Sequence, residues 1–283
     1  MPQLTPELLG FRPVAEHAWR LNLRGRDLLL RELFQLDALD PIDDLQREAF
    51  SASDYDLIPA NELVVVHETG GHVLGAYELV DDTPGPMIAA GFAWGGFKHG
   101  RSRLVSDFLG VRQSARSFGI GEAMKRLQAA IAVRDGFQEV VWTVDPLRAA
   151  NARLNFAKLG AVSHHYERNR YGEAFAAAHY GGLPTDRVHL VWPVHEPRVV
   201  ALLTGQIFSQ DRGDARFVAL PDDIDRLMAE SRDEALRWRL QVRDALETHF
   251  AQGWEIDGFV AAGVAGADPA LVLHHRTGRQ SHI

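Results

Sequence analysis

Arg116, Gly119 and Gly121 stand in the run Arg116-Ser117-Phe118-Gly119-Ile120-Gly121, where two glycines let backbone N–H groups turn toward one point. Such a loop can hold a phosphate or diphosphate if it feeds a helix, because the first N–H groups of a helix have no intrahelical acceptor. The flanks supply that setting. Leu104 to Val111 is short, apolar and β-branched, and reads as a strand with Ser106 and Asp107 embedded in it. From Gly119 onward Ile120, Met124, Leu127 and Ile131 recur at helical spacing, and Gly136 is a C-terminal stop. Two other phosphate loops are disfavoured by spacing: GxGxxG needs a glycine where Met124 stands, and GxxxxGK[ST] occurs nowhere in the chain. The R-x-x-G-x-G loop and an ordinary glycine turn remain.

An R-x-x-G-x-G run between an apolar strand and a helix resembles the central motif of the GNAT superfamily of acyl-CoA-dependent N-acyltransferases. A second set of motifs extends the resemblance over about residues 60 to 260. These are GGHVLGA at 70 to 76, WTVDPLRAANARLNFAKLGA at 142 to 161, Tyr171-Gly172, GLPTDR at 182 to 187, and Trp238-Arg239 with Arg243. This is similar to a GNAT subfamily carrying DPL, NA, LN, KLGA, YG and LPTDR in that order, some of whose members are associated with N-succinyl amino acid metabolism. The resemblance implies an α+β (mixed α/β) GNAT fold, with a central, mostly antiparallel sheet whose splayed fourth and fifth strands admit the pantetheine arm. It also implies acetyl-CoA or succinyl-CoA as co-substrate and a small-molecule amine, an amino acid, as acceptor.

Carried residue by residue, the resemblance places the diphosphate against Arg116, Ser117, Phe118, Gly119, Gly121 and Glu122, and the thioester oxygen against N–H groups near Leu109 to Val111. Asn151 and Asn155 are the nearest amides for the pantetheine, unless they are capping or helix-surface residues. The family's tyrosine acid is replaced by Phe156, which leaves Tyr171 and Tyr166 as candidates to protonate the departing thiolate. Asp107 is the candidate base: pointing inward it relays a proton through water, pointing outward it is a structural carboxylate. Ser106, a candidate substrate-binding residue, lies beside it on the opposite strand face. Arg187 and Arg148 carry forks that suit a carboxylate, and Asp186 completes the acceptor-side charges; the alternative is an internal Asp186 to Arg187 pair or a loop ion pair.

Composition bounds the chemistry. The 283 residues are 46% hydrophobic, enough for a sizeable core, and contain no cysteine, so no disulfide, thiolate metal site or cysteinyl acyl-enzyme is available and acyl transfer must be direct. A net charge of -8 argues against nucleic acid or an anionic membrane as partner. Arg112, Arg116, Lys125 and Arg126 supply local positive charge, the last two read as solvated helix residues. No metal site is expected: His67-Glu68 and His72 miss the HExxH spacing, because position 71 is Gly71. With no apolar run of 18 residues and no signal-peptide pattern, the expectation is a soluble cytoplasmic protein.

Along the chain, Leu28 to Leu36 and Ile42 to Phe50 read as short helices. Leu63 to Val66 and His72 to Leu79 read as a hairpin, and Met87 to Phe97 as a strand. Glu139 to Val144 reads as a strand and Ala149 to Leu159 as a helix, with further strands at Ala161 to Tyr166 and Val188 to Trp192. Two domains are expected, a GNAT domain at 1–196 and a C-terminal extension at 197–283. The extension has a strand at Phe217 to Leu220, one helix from Asp222 to Phe250, a strand at Trp254 to Val260 and a disordered tail at 274–283. It packs on the core or on a second subunit, making a homodimer possible.

Overall fold

The computed structural model describes residues 3–50, 53–208, 212–263 and 268–276. Internal contacts divide the chain into two units, one of residues 1–140 and 193–204, the other of residues 141–192 and 205–283. The boundary expected at 196/197 and this division do not coincide.

The first unit is built on six antiparallel strands that pair in sequence order: β1 (Arg12–Ala15), β2 (Ala18–Leu23), β3 (Arg26–Glu32), β4 (His72–Val80), β5 (Thr83–Lys98) and β6 (Arg101–Val111). Between β3 and β4 come α1 (Leu36–Leu39), α2 (Pro41–Phe50), α3 (Ala60–Leu63) and a 3-10 helix, Val64–Thr69. Two expectations are corrected here. Leu28 to Glu32 is a strand, because Leu28, Leu30 and Glu32 are buried while Leu29 and Arg31 are half-exposed, a period of two that a triple leucine disguises. Leu63 to Val66 is helical, with Leu63 and Val66 packing inward at a spacing of three. Leu39, Ile42, Leu45, Leu63 and Val66 form a core with Val73, Met87, Ala90, Phe92 and Phe108 of the sheet, each large side chain contributing roughly 1.5–3 kcal/mol on burial.

α4 (Ile120–Arg134) follows β6 and is buried at Ile120, Ala123, Met124, Lys125 and Leu127 through Val133. β7 (Glu139–Val144) then carries the chain from the first unit into the second.

In the second unit, α5 (Ala149–Ala152) widens into a π-helical turn, Arg153–Lys158, where a single α-helix was expected. Then come β8 (Val162–Glu167), α6 (Gly172–His179) and β9 (Arg187–Trp192); α7 (Pro197–Leu203) belongs to the first unit. β10 (Arg216–Ala219), α8 (Ile224–Glu230), α9 (Arg232–Ala251), β11 (Trp254–Val260) and β12 (Ala270–His275) complete the second. Its strands pair antiparallel in the order β9, β8, β11, β12, β10.

The long helix expected from Asp222 to Phe250 is two helices. Asp223 caps α8 through Asp225 N and Arg226 N, and Ser231 caps α9 through Glu234 N, so a capping serine interrupts an otherwise helical run. The inward stripe of α9 is Ala235, Arg239, Val242, Leu246 and Phe250, and Leu240 is exposed. His274 and His275, expected in the disordered tail, end β12, and His274 Nδ1 lies 2.8 Å from Asp257. Residues 277–283 lie outside the described residues. Both units are therefore mixed α and β around antiparallel strands.

Candidate functional site

The loop between β6 and α4 forms as its glycines require. Ser117 and Gly119 take positive φ of 69° and 91°, and Gly119 is the N-cap of α4, so no side-chain cap covers the helix start. Its first intrahelical bond runs from Ala123 N to Gly119 O, which puts the N–H groups of Ile120, Gly121 and Glu122 ahead of the ladder. A Cβ built on Gly121 would meet only Val111 and Leu109 side-chain carbons at 3.7 and 3.9 Å, so the space would accept alanine.

Basic side chains gather on the same loop. Arg116 Nε donates to Val111 O (3.2 Å), Arg24 Nη1 donates to Ser117 O (3.2 Å), and the Arg26 guanidinium lies 3.6 Å from the centre of the Phe118 ring. Arg24 and Arg26 were missed in the sequence. The signal was Arg24-Gly25, both at positive φ, which is the two-residue turn of the β2–β3 hairpin. Arg112, by contrast, donates to Met87 O and is paired with Glu48.

On β6 the pairing register places one extra residue between Ser106, opposite Ala93, and Phe108, opposite Phe92. Asp107 occupies that bulge and is exposed, and Trp94 Nε1 donates to its Oδ2 at 3.2 Å. Trp94 is a second residue that sequence reasoning did not single out. Past the bulge, Arg112 N donates to Ile88 O of the neighbouring chain segment. Two-residue periodicity then turns the N–H groups of Leu109 and Val111 away from β5. Those are the two N–H groups expected to face a thioester oxygen.

Ser106 is corrected. It is buried, and its Oγ accepts from Lys125 Nζ at 2.8 Å, so it faces α4 instead of a substrate. Lys125, expected in solvent, is 5% exposed and also donates to Gln128 Oε1 at 2.9 Å, while Gln128 Nε2 reaches His72 Nε2 at 3.2 Å. Burial pushes the Lys125 amine down to about 7 and the His72 imidazole down to about 4. Leu74, Gly91, Ser106, Leu109, Met124 and Lys125 line a small cavity here. Arg126 is half-buried and donates to Leu9 O and Leu203 O.

In the second unit most of the expected polar residues serve the fold. Asp186 is wholly buried; it accepts from Arg243 (2.8 and 2.9 Å), from Tyr166 Oη (2.6 Å) and from Asn169 N (2.9 Å), the internal-pair alternative with Arg243 as partner. Burial first, then Asp186, raises the Tyr166 hydroxyl well above its ordinary range, so that proton is held in the pair. Arg148 forms a two-bond pair with Asp225 (2.6 and 2.9 Å). Asn151 is exposed on α5, whereas Asn155 and Phe156 are buried in the π-helical turn. Tyr171 is 45% exposed and lies against Phe175, ring centres 5.0 Å apart. Arg187 lies between the rings of Tyr171 and Tyr180, 5.0 and 5.2 Å from their centres.

Among the described residues no cluster of three histidine, cysteine or acidic side chains could hold a metal, and no helix is long and apolar enough to cross a membrane. No protein-family model matches the chain, and no curated protein matches it by sequence. Solved structures do show likenesses. Ribosomal-protein-S18-alanine N-acetyltransferase from Escherichia coli shares 15% identity, over 60% of this chain and 95% of that one, with a TM-score of 0.46. A GNAT-family acetyltransferase from Streptococcus pneumoniae shares 17% over 58% and 97% (TM-score 0.43). A GNAT-family acetyltransferase from Elizabethkingia anophelis with acetyl-CoA bound shares 13% over 59% and 97% (TM-score 0.42). Superpositions this loose leave the functional reading to the chain's own residues.

Proposed function

We propose that the chain is an acyl-CoA-dependent N-acyltransferase of the GNAT kind. It moves an acetyl or succinyl group from a coenzyme A thioester to the amine of a small molecule, an amino acid, by direct attack in a ternary complex. The observation that carries this reading is the uncapped start of α4, preceded by Gly119 at positive φ and surrounded by Arg24, Arg26 and Arg116. Backbone donors and guanidinium groups together suit a diphosphate.

The chemistry then assigns roles. The attacking amine must be neutral, and an α-amine of pKa about 7.7–8.0 is already roughly a tenth free at pH 7, so Asp107 has one proton to remove and can do so through water. The amine nitrogen bonds to the thioester carbon, the carbonyl electrons move onto oxygen, and the N–H groups of Leu109 and Val111 stabilise that oxyanion. Collapse breaks the carbon–sulfur bond, and the attacking nitrogen releases its second proton to water. The thiolate takes a proton from water, since Phe156 has none to give and Tyr166 donates its own to Asp186.

That missing phenol favours one second reading, an acyl-CoA-binding sensor without turnover. Titration with acetyl-, succinyl- and longer acyl-CoA, followed by thiol release against a panel of amino acids of both hands, separates the two. Binding without thiol release in any combination selects the sensor; no binding to any CoA ester rejects both. Within the binding experiment, Arg24→Ala is expected to weaken CoA about tenfold, the value of one charge-assisted contact at an exposed position. Calorimetry of the variant checks it.

A further inference from the structure

The second unit holds a buried cluster in which cations outnumber anions. Arg187, Arg239 and Arg243 meet the carboxylates of Asp145 and Asp186. Two of the guanidiniums are fully matched. Arg239 forms a two-bond pair with Asp145 at 2.8 and 2.7 Å, and Arg243 forms one with Asp186 at 2.8 and 2.9 Å. Nearby guanidiniums also have their own carboxylates: Arg148 has Asp225, Arg168 has Glu247 and Arg170 has Glu167.

Within this cluster Arg187 is the exception. It is 5% exposed, yet the carboxylate within its reach is Asp145 at 4.0 Å, which Arg239 already grips with two bonds. Its hydrogen bonds go to neutral groups, Nη1 to Asp186 O (2.8 Å) and Nη2 to Tyr180 Oη (2.9 Å). A buried guanidinium that must share a carboxylate already gripped by another leaves the cluster with one positive charge in excess, which is costly and which a bound anion would offset. Cross-strand from it, Glu167 does not fill the gap, being paired with Arg170 and with His189 at 2.6 Å.

We propose that Arg187 anchors a carboxylate-binding subsite roofed by Tyr171 and Tyr180. The rings flank the guanidinium, and the exposed ring of Tyr171 is the solvent side of the roof. A planar fork held this way matches a carboxylate through paired hydrogen bonds. The carboxylate has two possible sources, the α-carboxylate of an amino acid acceptor or the far end of a dicarboxylic acyl group such as succinyl. Only this choice of source rests on the acyltransferase reading.

Thermal stability of the full chain is measured in succinate, acetate and chloride at matched ionic strength. Carboxylates, but not chloride, raise the melting temperature of the native protein. Arg187→Leu abolishes that rise without lowering the melting temperature in chloride, because it removes the cluster's excess positive charge. Arg187→Lys, which keeps the charge and loses the fork, retains a reduced rise and covers the case in which the leucine variant misfolds. No carboxylate-specific rise in the native protein, or an undiminished rise in both variants, overturns the subsite. The turnover arm identifies the source. An amino acid preferred over its amide, with the ratio falling about 10- to 100-fold in Arg187→Leu, assigns the acceptor. Succinyl-CoA preferred over acetyl-CoA, with the same fall, assigns the donor. Turnover in which neither ratio changes contradicts the proposal. Absence of all turnover rejects the enzyme reading and leaves the stability arm to decide the subsite.

Discussion

Asp107→Asn is expected to lower kcat/KM by about 10²–10⁴-fold at pH 7 while leaving CoA affinity unchanged. The geometry gives the reason. Asp107 sits in the β6 bulge, outside the sheet's core, and receives a single hydrogen bond from Trp94, so its substitution disturbs a proton acceptor and little packing. The loss shrinks as pH rises toward 9, because an α-amine of pKa about 7.7–8.0 deprotonates without help. Stopped thiol-release assays from pH 6 to 9, with CoA binding measured alongside, check both parts. A variant that keeps full activity at pH 6, where nearly all of the amine is protonated, removes Asp107 from the mechanism.

The other large effect concerns stability. Lys125→Met is expected to stabilise the protein at pH 7 by about 3–4 kcal/mol, most of the cost of burying an amine whose value falls from 10.5 to about 7. The sign follows from proton counts. Between pH 7 and 10.5 the unfolded chain holds the Lys125 proton and the folded chain does not, so this group makes stability climb as pH rises through that window. Below pH 7 both states carry the proton and the penalty is full and constant. The variant lacks this climb, so the difference between the two proteins is largest below pH 7 and fades toward pH 10. Urea melts at pH 6, 7, 8.5 and 10 give the difference curve. A constant gap, or a less stable variant at pH 6, contradicts the placement of Lys125 against Ser106 and Gln128.

Lys125 also marks a limit of reading the chain from its sequence. The strand, loop and helix from Leu104 to Arg134 were legible because the hydrophobic period changes sharply at Gly119, and β7 has the bounds expected of it. A lysine in that helix reads as solvated unless the helix is known to be covered on several sides. The sign was there in Ala123, Ala129, Ala130 and Ala132, small residues that let α4 lie close to its neighbours and are all buried. The first three strands were not legible. Arg20, Asn22 and Asp27 interrupt their apolar pattern, and the triple leucine at 28 to 30 fits a helix as well as a strand until its pairing with β2 and β4 is known.

The site shows the same division. Loop residues 116 to 122 are contiguous, so their joint role can be read from spacing. Arg24 reaches the loop across 93 positions, and Trp94 meets Asp107 only through strand pairing. Asp186 and Arg187 are neighbours in sequence and point to different partners, Arg243 for one and the rings of Tyr171 and Tyr180 for the other. Asp186 ends the loop before β9 and Arg187 opens the strand, and Arg243 takes both Asp186 oxygens, so an ion pair between the two was the wrong partner assignment.

The central claim, that N–H groups at the start of α4 grip a diphosphate, is tested most directly by CoA calorimetry on Gly121→Ala beside Gly121→Pro. Alanine fits the space and keeps the N–H, whereas proline in the first helical turn deletes that N–H at little cost to the helix. Native-like CoA affinity is expected for the alanine variant and an affinity about 10- to 100-fold weaker for the proline variant, with both folded. Equal CoA affinity in the native protein and the folded proline variant would contradict that claim.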